Sequence, residues 1–123
     1  MSQWHALYYP LKPGSEEKVK ELFRHSGRPT FEITDAEGHQ IGRLLGTMAF
    51  VGPEMAVRVI EAEGPLLQVA AHMSRQEEVR EFEQQIEEHL AVARDMKTPA
   101  GARQFFQHAG LECVLARRHD EEL

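Results

Sequence analysis

An arginine in the middle of an otherwise apolar strand-like run is the sharpest chemical signal in this sequence. Met55-Ala56-Val57-Arg58-Val59-Ile60-Glu61-Ala62 reads as a β-strand whose alternation sends Ala56, Arg58 and Ile60 to one face and Val57, Val59 and Glu61 to the other. A guanidinium buried alone is very costly, so Arg58 must either pair with a carboxylate or face a polar cavity. The first alternative is a structural ion pair with a glutamate. The second is a catalytic cation whose planar, permanently charged fork of donors steadies a developing oxyanion. Arg43 poses the same choice in the preceding strand: near that strand's start it reads as exposed, with a substrate contact as the alternative.

His72, between Ala71 and Met73 on the helix after that strand, is placed to point into a cavity mouth and exchange protons near neutral pH, which makes it a second catalytic candidate. A satisfied or solvent-exposed histidine is the plain alternative. Tyr8 and Tyr9 point to opposite sides of the first strand, so one of them lines whichever face forms the cavity, with a ring to stack on and a hydroxyl to donate. Arg94 and Asp95 follow a long helix and read as a loop-ordering charge pair, with Arg94 also a candidate substrate contact. His25 reads as a partner for a helix C-terminus, Trp4 and His5 as cover for a pocket edge, and Glu77, Glu78, Glu81, Glu83, Glu87 and Glu88 as a solvated helix face. The seven histidines show no HExxH or HxH spacing, so no metal site is supported locally. Cys113 has no partner for a disulfide and reads as a small buried hydrophobe in a strand.

The elements that must position these residues follow from patterning. Trp4 to Leu11 is an aromatic and apolar strand, apolar on both faces and therefore central, closed by the Lys12-Pro13-Gly14 turn. Ser15 caps a helix that carries Val19, Leu22 and Phe23 on its buried side and stops near Ser26, before Gly27 and Pro29. A short β-prone piece, Phe31 to Thr34, precedes a turn at Asp35-Ala36-Glu37-Gly38. A strand over about Gly42 to Phe50 then pairs as an antiparallel hairpin with the Arg58 strand across Gly52-Pro53-Glu54. Pro65 opens a helix buried through Leu66, Leu67, Val69, Ala70 and Met73, and a polar helix from Gln76 to about Val92 carries the stripe Val79, Phe82, Ile86, Leu90. Thr98-Pro99 starts a short helix with Phe105 and Phe106, and Leu111 to Ala116 forms the last strand. The order is the βαββαβ pattern of a ferredoxin-like α+β fold, an antiparallel sheet covered by helices on one face. The uncovered, apolar face predicts a homodimer.

Bulk properties exclude several classes. A chain of 123 residues has the size of one domain, taken as residues 1–116, with Arg117 to Leu123 a frayed polar tail. A net charge of −6 and a pI of about 5.6 disfavour nucleic acid as a partner. No apolar run approaches the ~20 residues that span a bilayer, and MSQWHALYYP lacks the basic flank and apolar stretch of a signal peptide, so a cytoplasmic protein with no membrane partner is expected.

With these elements in place, the stretch Gly42-Arg43-Leu44-Leu45 to Phe50, the run Val57 to Gly64, and Arg94-Asp95 ahead of Thr98-Pro99-Ala100-Gly101 resemble the SchA/CurD-like domain family of aromatic polyketide pathways. The resemblance runs from about Trp4 to Val114 and is carried by the order of motifs. A more distant likeness, through Ile60-Glu61-Ala62 and the helix ending near Leu90, is to the tetracenomycin-type polyketide cyclases, and it implies their dimeric α+β barrel. The chain departs from those cyclases at Arg58, where they tend to carry a histidine, so a mechanism built on that histidine does not transfer. The resemblance implies a cyclase, or a cyclase-like accessory, acting without a cofactor on a poly-β-ketone intermediate, with an acyl carrier protein as the expected means of delivery. In that scheme Arg58 steadies the enolate, and His72 or a tyrosine moves protons. A cofactor-independent monooxygenase of anthrone-like polyphenols and a non-catalytic chaperone of a polyketide synthase complex are the alternatives.

Overall fold

In the computed structural model, which describes residues 2–28, 30–117 and 119, with Leu66 and Leu67 in backbone only, helices and strands alternate in the expected order. They are β1 (Gln3–Pro10), α1 (Glu16–Arg24), β2 (Glu32–Thr34), β3 (Gln40–Val51), β4 (Met55–Glu63), α2 (Leu66–Arg75), α3 (Glu77–Ile86), a 3-10 turn at Glu87–His89, α4 (Pro99–Ala109) and β5 (Gly110–Leu111). The five strands form one antiparallel sheet of order β2-β3-β4-β1-β5, a ferredoxin-like arrangement with β2 added at one edge. Both apolar faces of β1 fit its interior position between β4 and β5.

The pairing of β1 with β4 sets what each sheet face carries. Tyr9 lies opposite Ala56, Leu7 opposite Arg58 and His5 opposite Ile60, and these side chains point beneath the helices. Ala56, Arg58, Ile60 and Ala62 are all buried there. The buried side chains gather into two apolar groups. Tyr9, Leu11, Val19, Ala56, Phe82, Ile86 and Leu90 make one, and Ile33, Ile60, Ala62, Val69 and Met73 make the other. Arg58 lies between Ala56 of the first and Ile60 of the second, so the guanidinium occupies the seam between two half-cores. The uncovered face presents Met48, Phe50, Met55 and Leu111, each more than 40% exposed.

Three elements differ from expectation. The long helix ends at Ile86, because a 3-10 turn redirects the chain and Leu90 docks opposite Leu11, with Lys12 N–H donating to the His89 carbonyl at 2.8 Å and Ala91 N–H to that of Pro10 at 2.9 Å. Pairing with the end of β1 prevails over further helical hydrogen bonds, and Val92 is left exposed. The last strand pairs only through Gly110 and Leu111, against Leu7 and Ala6, so Cys113 is exposed and lies outside any strand. Ser15 stands at the N-cap of α1 without a capping side-chain bond, its hydroxyl lying 3.3 Å from His89 Nδ1 instead. Thr98 does cap α4, accepting from Gly101 N–H at 3.0 Å. His25 also sits as expected, its Nδ1–H donating to the Glu21 carbonyl at the end of α1. The expectations for Pro29, for the Leu66 and Leu67 side chains and for residues 118 and 120–123 lie outside the described residues. No helix among the described residues is long and apolar enough to cross a membrane.

Candidate functional site

Alternation in β4 aims Arg58 at the helix layer, where α1 and α3 meet it with aromatic rings. Its guanidinium carbon stands 4.4 Å from the Phe82 ring centre, 5.6 Å from that of Phe23 and 6.0 Å from that of Tyr9. The side chain is 8% exposed, and its nearest carboxylate oxygen, Glu83 Oε1, lies 3.8 Å away, beyond hydrogen-bond distance. Among the described residues Arg58 therefore has one long ion pair and no hydrogen bond. Its donors are left to the space around it.

Glu83 is short of Arg58 because two other groups hold it. Oε1 accepts from the Tyr9 hydroxyl at 2.9 Å, and Oε2 accepts from Arg94 Nη2 at 2.7 Å. Arg94 also donates from Nη2 to the Glu83 carbonyl at 3.0 Å and from Nε to Glu87 at 2.6 Å, and its guanidinium lies 4.3 Å from the Phe105 ring centre. Burial works against the Arg94 charge, yet Glu83 and the Glu87 hydrogen bond more than offset it and raise its already high pKa. Burial, reinforced by the Glu83 charge, pushes the Tyr9 phenol far above its ordinary value, so Tyr9 is a fixed donor. Two guanidiniums thus converge on one buried carboxylate. Arg94 has a second carboxylate in Glu87, so Arg58 is the more loosely paired of the two cations.

Two hollows meet at this residue. The larger, about 580 Å³, is walled by Phe23, Phe31, Leu44, Thr47 and Phe82 and falls within the size range of about 300–1,000 Å³ usual for small-molecule pockets. A β-bulge between Leu44 and Gly46 shapes its rim. The smaller, about 170 Å³, holds His5, Ile60, Glu83 and Phe106. Arg58, Met73 and Val79 border both. His5 Nε2 is buried with no hydrogen-bond partner among the described residues, a deficit that costs about 1–3 kcal/mol when left unfilled. Burial also pushes the His5 imidazole below its ordinary pKa, toward the neutral form.

The other expected site residues are distributed as follows. His72 is buried on α2, where its Nε2–H donates to the Thr30 carbonyl at 2.9 Å and pins the strand β2 approach. It borders neither hollow at Arg58, contrary to the placement at a cavity mouth. Tyr9 packs in the core and holds Glu83, while Tyr8 faces the other side of the sheet and lines a separate hollow of about 670 Å³ beside Arg94, Phe105 and His108. Arg43 is exposed and pairs with Glu63 at 3.3 Å, away from Arg58. Arg94 turns back to Glu83 and Glu87 rather than to its neighbour Asp95, and Asp95 accepts instead from Thr98 and Lys97, which hold its pKa down. Arg58, Tyr9 and Arg94 are therefore brought together through Glu83, and Arg43 and His72 are not.

Glu83 corrects the reading of its helix as a uniformly solvated acidic face, being only 11% exposed in its side chain. The signal was present: Glu83 stands four residues after Val79 and three before Ile86, on the flank of the buried stripe. Asp35, Glu37 and His39 bring three metal-capable atoms within 4.8 Å of one another at the β2–β3 turn. The turn itself accounts for Asp35, whose Oδ1 accepts the backbone N–H groups of Glu37 and His39 at 2.9 Å each.

The model of the SchA/CurD like domain matches residues 2–118. Polyketide synthase CurD of Streptomyces cyaneus is 37% identical over 110 residues, covering 89% of this chain and 29% of CurD. Protein SchA of Streptomyces halstedii is 34% identical over the same share of this chain and 28% of its own length. The 42.8 kDa protein in the whiE locus of Streptomyces coelicolor is 33% identical, with 26% of its length covered. The chain thus spans less than a third of each of these curated relatives. No solved structure matches it.

Proposed function

This chain belongs to the SchA/CurD-like domain family, and from that membership and the buried cation we propose that it serves aromatic polyketide biosynthesis as a cofactor-independent cyclase. The substrate is a poly-β-ketone intermediate, delivered in the cytoplasm by an acyl carrier protein. Methylene protons between two carbonyls are already acidic, so the protein need only fold the flexible chain and steady the enolate. The observation that carries this reading is Arg58: a guanidinium buried among three aromatic rings, with one long ion pair and no hydrogen bond among the described residues, at the junction of two hollows. A flat, partly cyclised polyketide fits between the Phe23 and Phe82 side and the Leu44 rim, with its anionic oxygen on Arg58.

The working unit in this proposal is a homodimer that stacks the uncovered sheet faces through Met48, Phe50, Met55 and Leu111. The chemistry then stays within each subunit, since Arg58 lies on the opposite, helix-covered face.

The test is product profiling of a poly-β-ketone thioester under argon, with wild type and Arg58→Met side by side. Wild type is expected to give one ring-closed isomer. Arg58→Met should lose roughly 10²–10³ in rate, the usual cost of removing one oxyanion donor, and drift toward the protein-free mixture. Equal rates and equal regiochemistry in both proteins would sink the cyclase reading and leave a chaperone role. Conversion that stops under argon and resumes with oxygen uptake would assign a monooxygenase instead.

A further inference from the structure

We propose that His5 is the catalytic proton-transfer residue of this site, taking a proton from the substrate carbon whose carbonyl oxygen rests on Arg58. This rests on the cyclase reading above and adds to it the group that reading lacks. The β1–β4 register sets Leu7 opposite Arg58 and His5 opposite Ile60, so His5 and Arg58 rise from the same sheet face as diagonal neighbours, about 7–8 Å apart. Both border the small apolar hollow, with Ile60, Met73 and Phe106 around them. That spacing suits one carbonyl and its adjacent methylene between them.

The bonding of the two buried histidines sharpens the assignment. His72 donates to the Thr30 carbonyl, and His89 lies against the Ser15 hydroxyl and Glu88, so each has a structural reason for its place. His5 is half-buried, but its Nε2 is shut off from solvent and has no partner among the described residues. Buried polar atoms of native proteins are seldom left so, and those that are tend to mark a ligand or a catalytic task. The charged groups around the hollow are Arg58 from β4 and Arg80 and Glu83 from α3, the last already held by Tyr9 and Arg94. Burial favours the neutral imidazole, which has a lone pair to offer.

The step balances without an oxidant. The imidazole nitrogen removes a proton from the methylene between two carbonyls, and the C–H electron pair moves onto the oxygen facing Arg58. The enolate carbon then bonds to a second carbonyl carbon of the same chain. That C–C bond closes the ring, the resulting alkoxide recovers the proton from the imidazolium, and loss of the hydroxyl with the remaining α-hydrogen as water then forms the ring double bond.

The test uses a benzoylacetyl thioester, whose one acidic methylene lies between two carbonyls, in deuterated buffer under argon. Exchange of that methylene is followed by proton NMR and binding by quenching of protein fluorescence, for wild type, His5→Gln, His5→Ala and His72→Gln. The expected result is binding by wild type and His5→Gln alike, an exchange rate roughly 10²-fold lower in His5→Gln, and partial recovery of His5→Ala by free imidazole. His72→Gln should exchange as wild type does. Binding with undiminished exchange in His5→Gln overturns the role of His5 while leaving the Arg58 site standing. Failure of wild type to bind removes the site itself, and the role of His5 falls with it.

Discussion

Replacing Glu83 by Gln tests whether the carboxylate is what allows two arginines to lie under this sheet. The variant keeps the side chain's shape and one acceptor oxygen for the Tyr9 hydroxyl but removes the charge that Arg94 meets at 2.7 Å and Arg58 at 3.8 Å. Breaking one partner out of a buried ion pair costs about 3–5 kcal/mol. The lower end applies, because Arg94 retains Glu87 at 2.6 Å. With an unfolding entropy of about 2.1 cal/mol/K per residue over 123 residues, about 3 kcal/mol lowers the melting midpoint by roughly 12 °C. Calorimetry of wild type, Glu83→Gln, Arg94→Met and the double variant reads both the loss and its origin. If the carboxylate compensates Arg94, the double variant should be more stable than the two single losses predict, by about 1 kcal/mol or more. A Glu83→Gln loss below about 0.5 kcal/mol, additive with Arg94→Met, would refute the compensating role.

His5 also couples stability to pH. Its folded pKa is depressed by burial, so the unfolded chain binds the proton more readily, and stability rises with pH from that depressed value up to the ordinary value of about 6.5, then levels. Urea titrations across about pH 5 to 8 should show this slope in wild type and its loss in His5→Gln, and identical slopes would count against burial of the imidazole. Phe50→Glu places a charge on the uncovered sheet face, where Phe50 is 57% exposed, and should convert a homodimer to a monomer in sedimentation velocity with little change in the far-UV spectrum. A wild-type monomer at micromolar concentration would remove the dimer from the proposal.

Much of this molecule follows from period and punctuation alone. The β4 alternation Ala56, Arg58, Ile60, Ala62 places the guanidinium beneath one face, and Phe82 and Ile86 of the expected stripe are buried as helical spacing requires, whereas Leu90 is buried by its bridge to Leu11. What periodicity cannot supply is the partner. Arg94 and Asp95 are adjacent in sequence and read as a pair, yet the 3-10 turn at Glu87–His89 carries Arg94 back over α3 to Glu83, a contact eleven residues away. His5 reads from sequence as cover for a pocket edge, but β1 is apolar on both faces and only its register with β4 shows that His5 shares the Arg58 side. The run Leu111 to Ala116 has the composition of a strand but only two paired residues, since composition records what a segment tolerates and not whether a neighbouring edge extends to meet it.

The extra residue that β3 carries between Leu44 and Gly46 gives this architecture an adjustable lip. Because it stands outside the ladder, a one-residue deletion there would restore an unbroken pairing with β4 and keep Thr47 and Ala49 facing inward, whereas the same deletion further along the strand would turn that wall inside out. Chain length at that position is therefore free to drift while the walls stay fixed, and sister domains can acquire wider or narrower entrances without inventing a new interior.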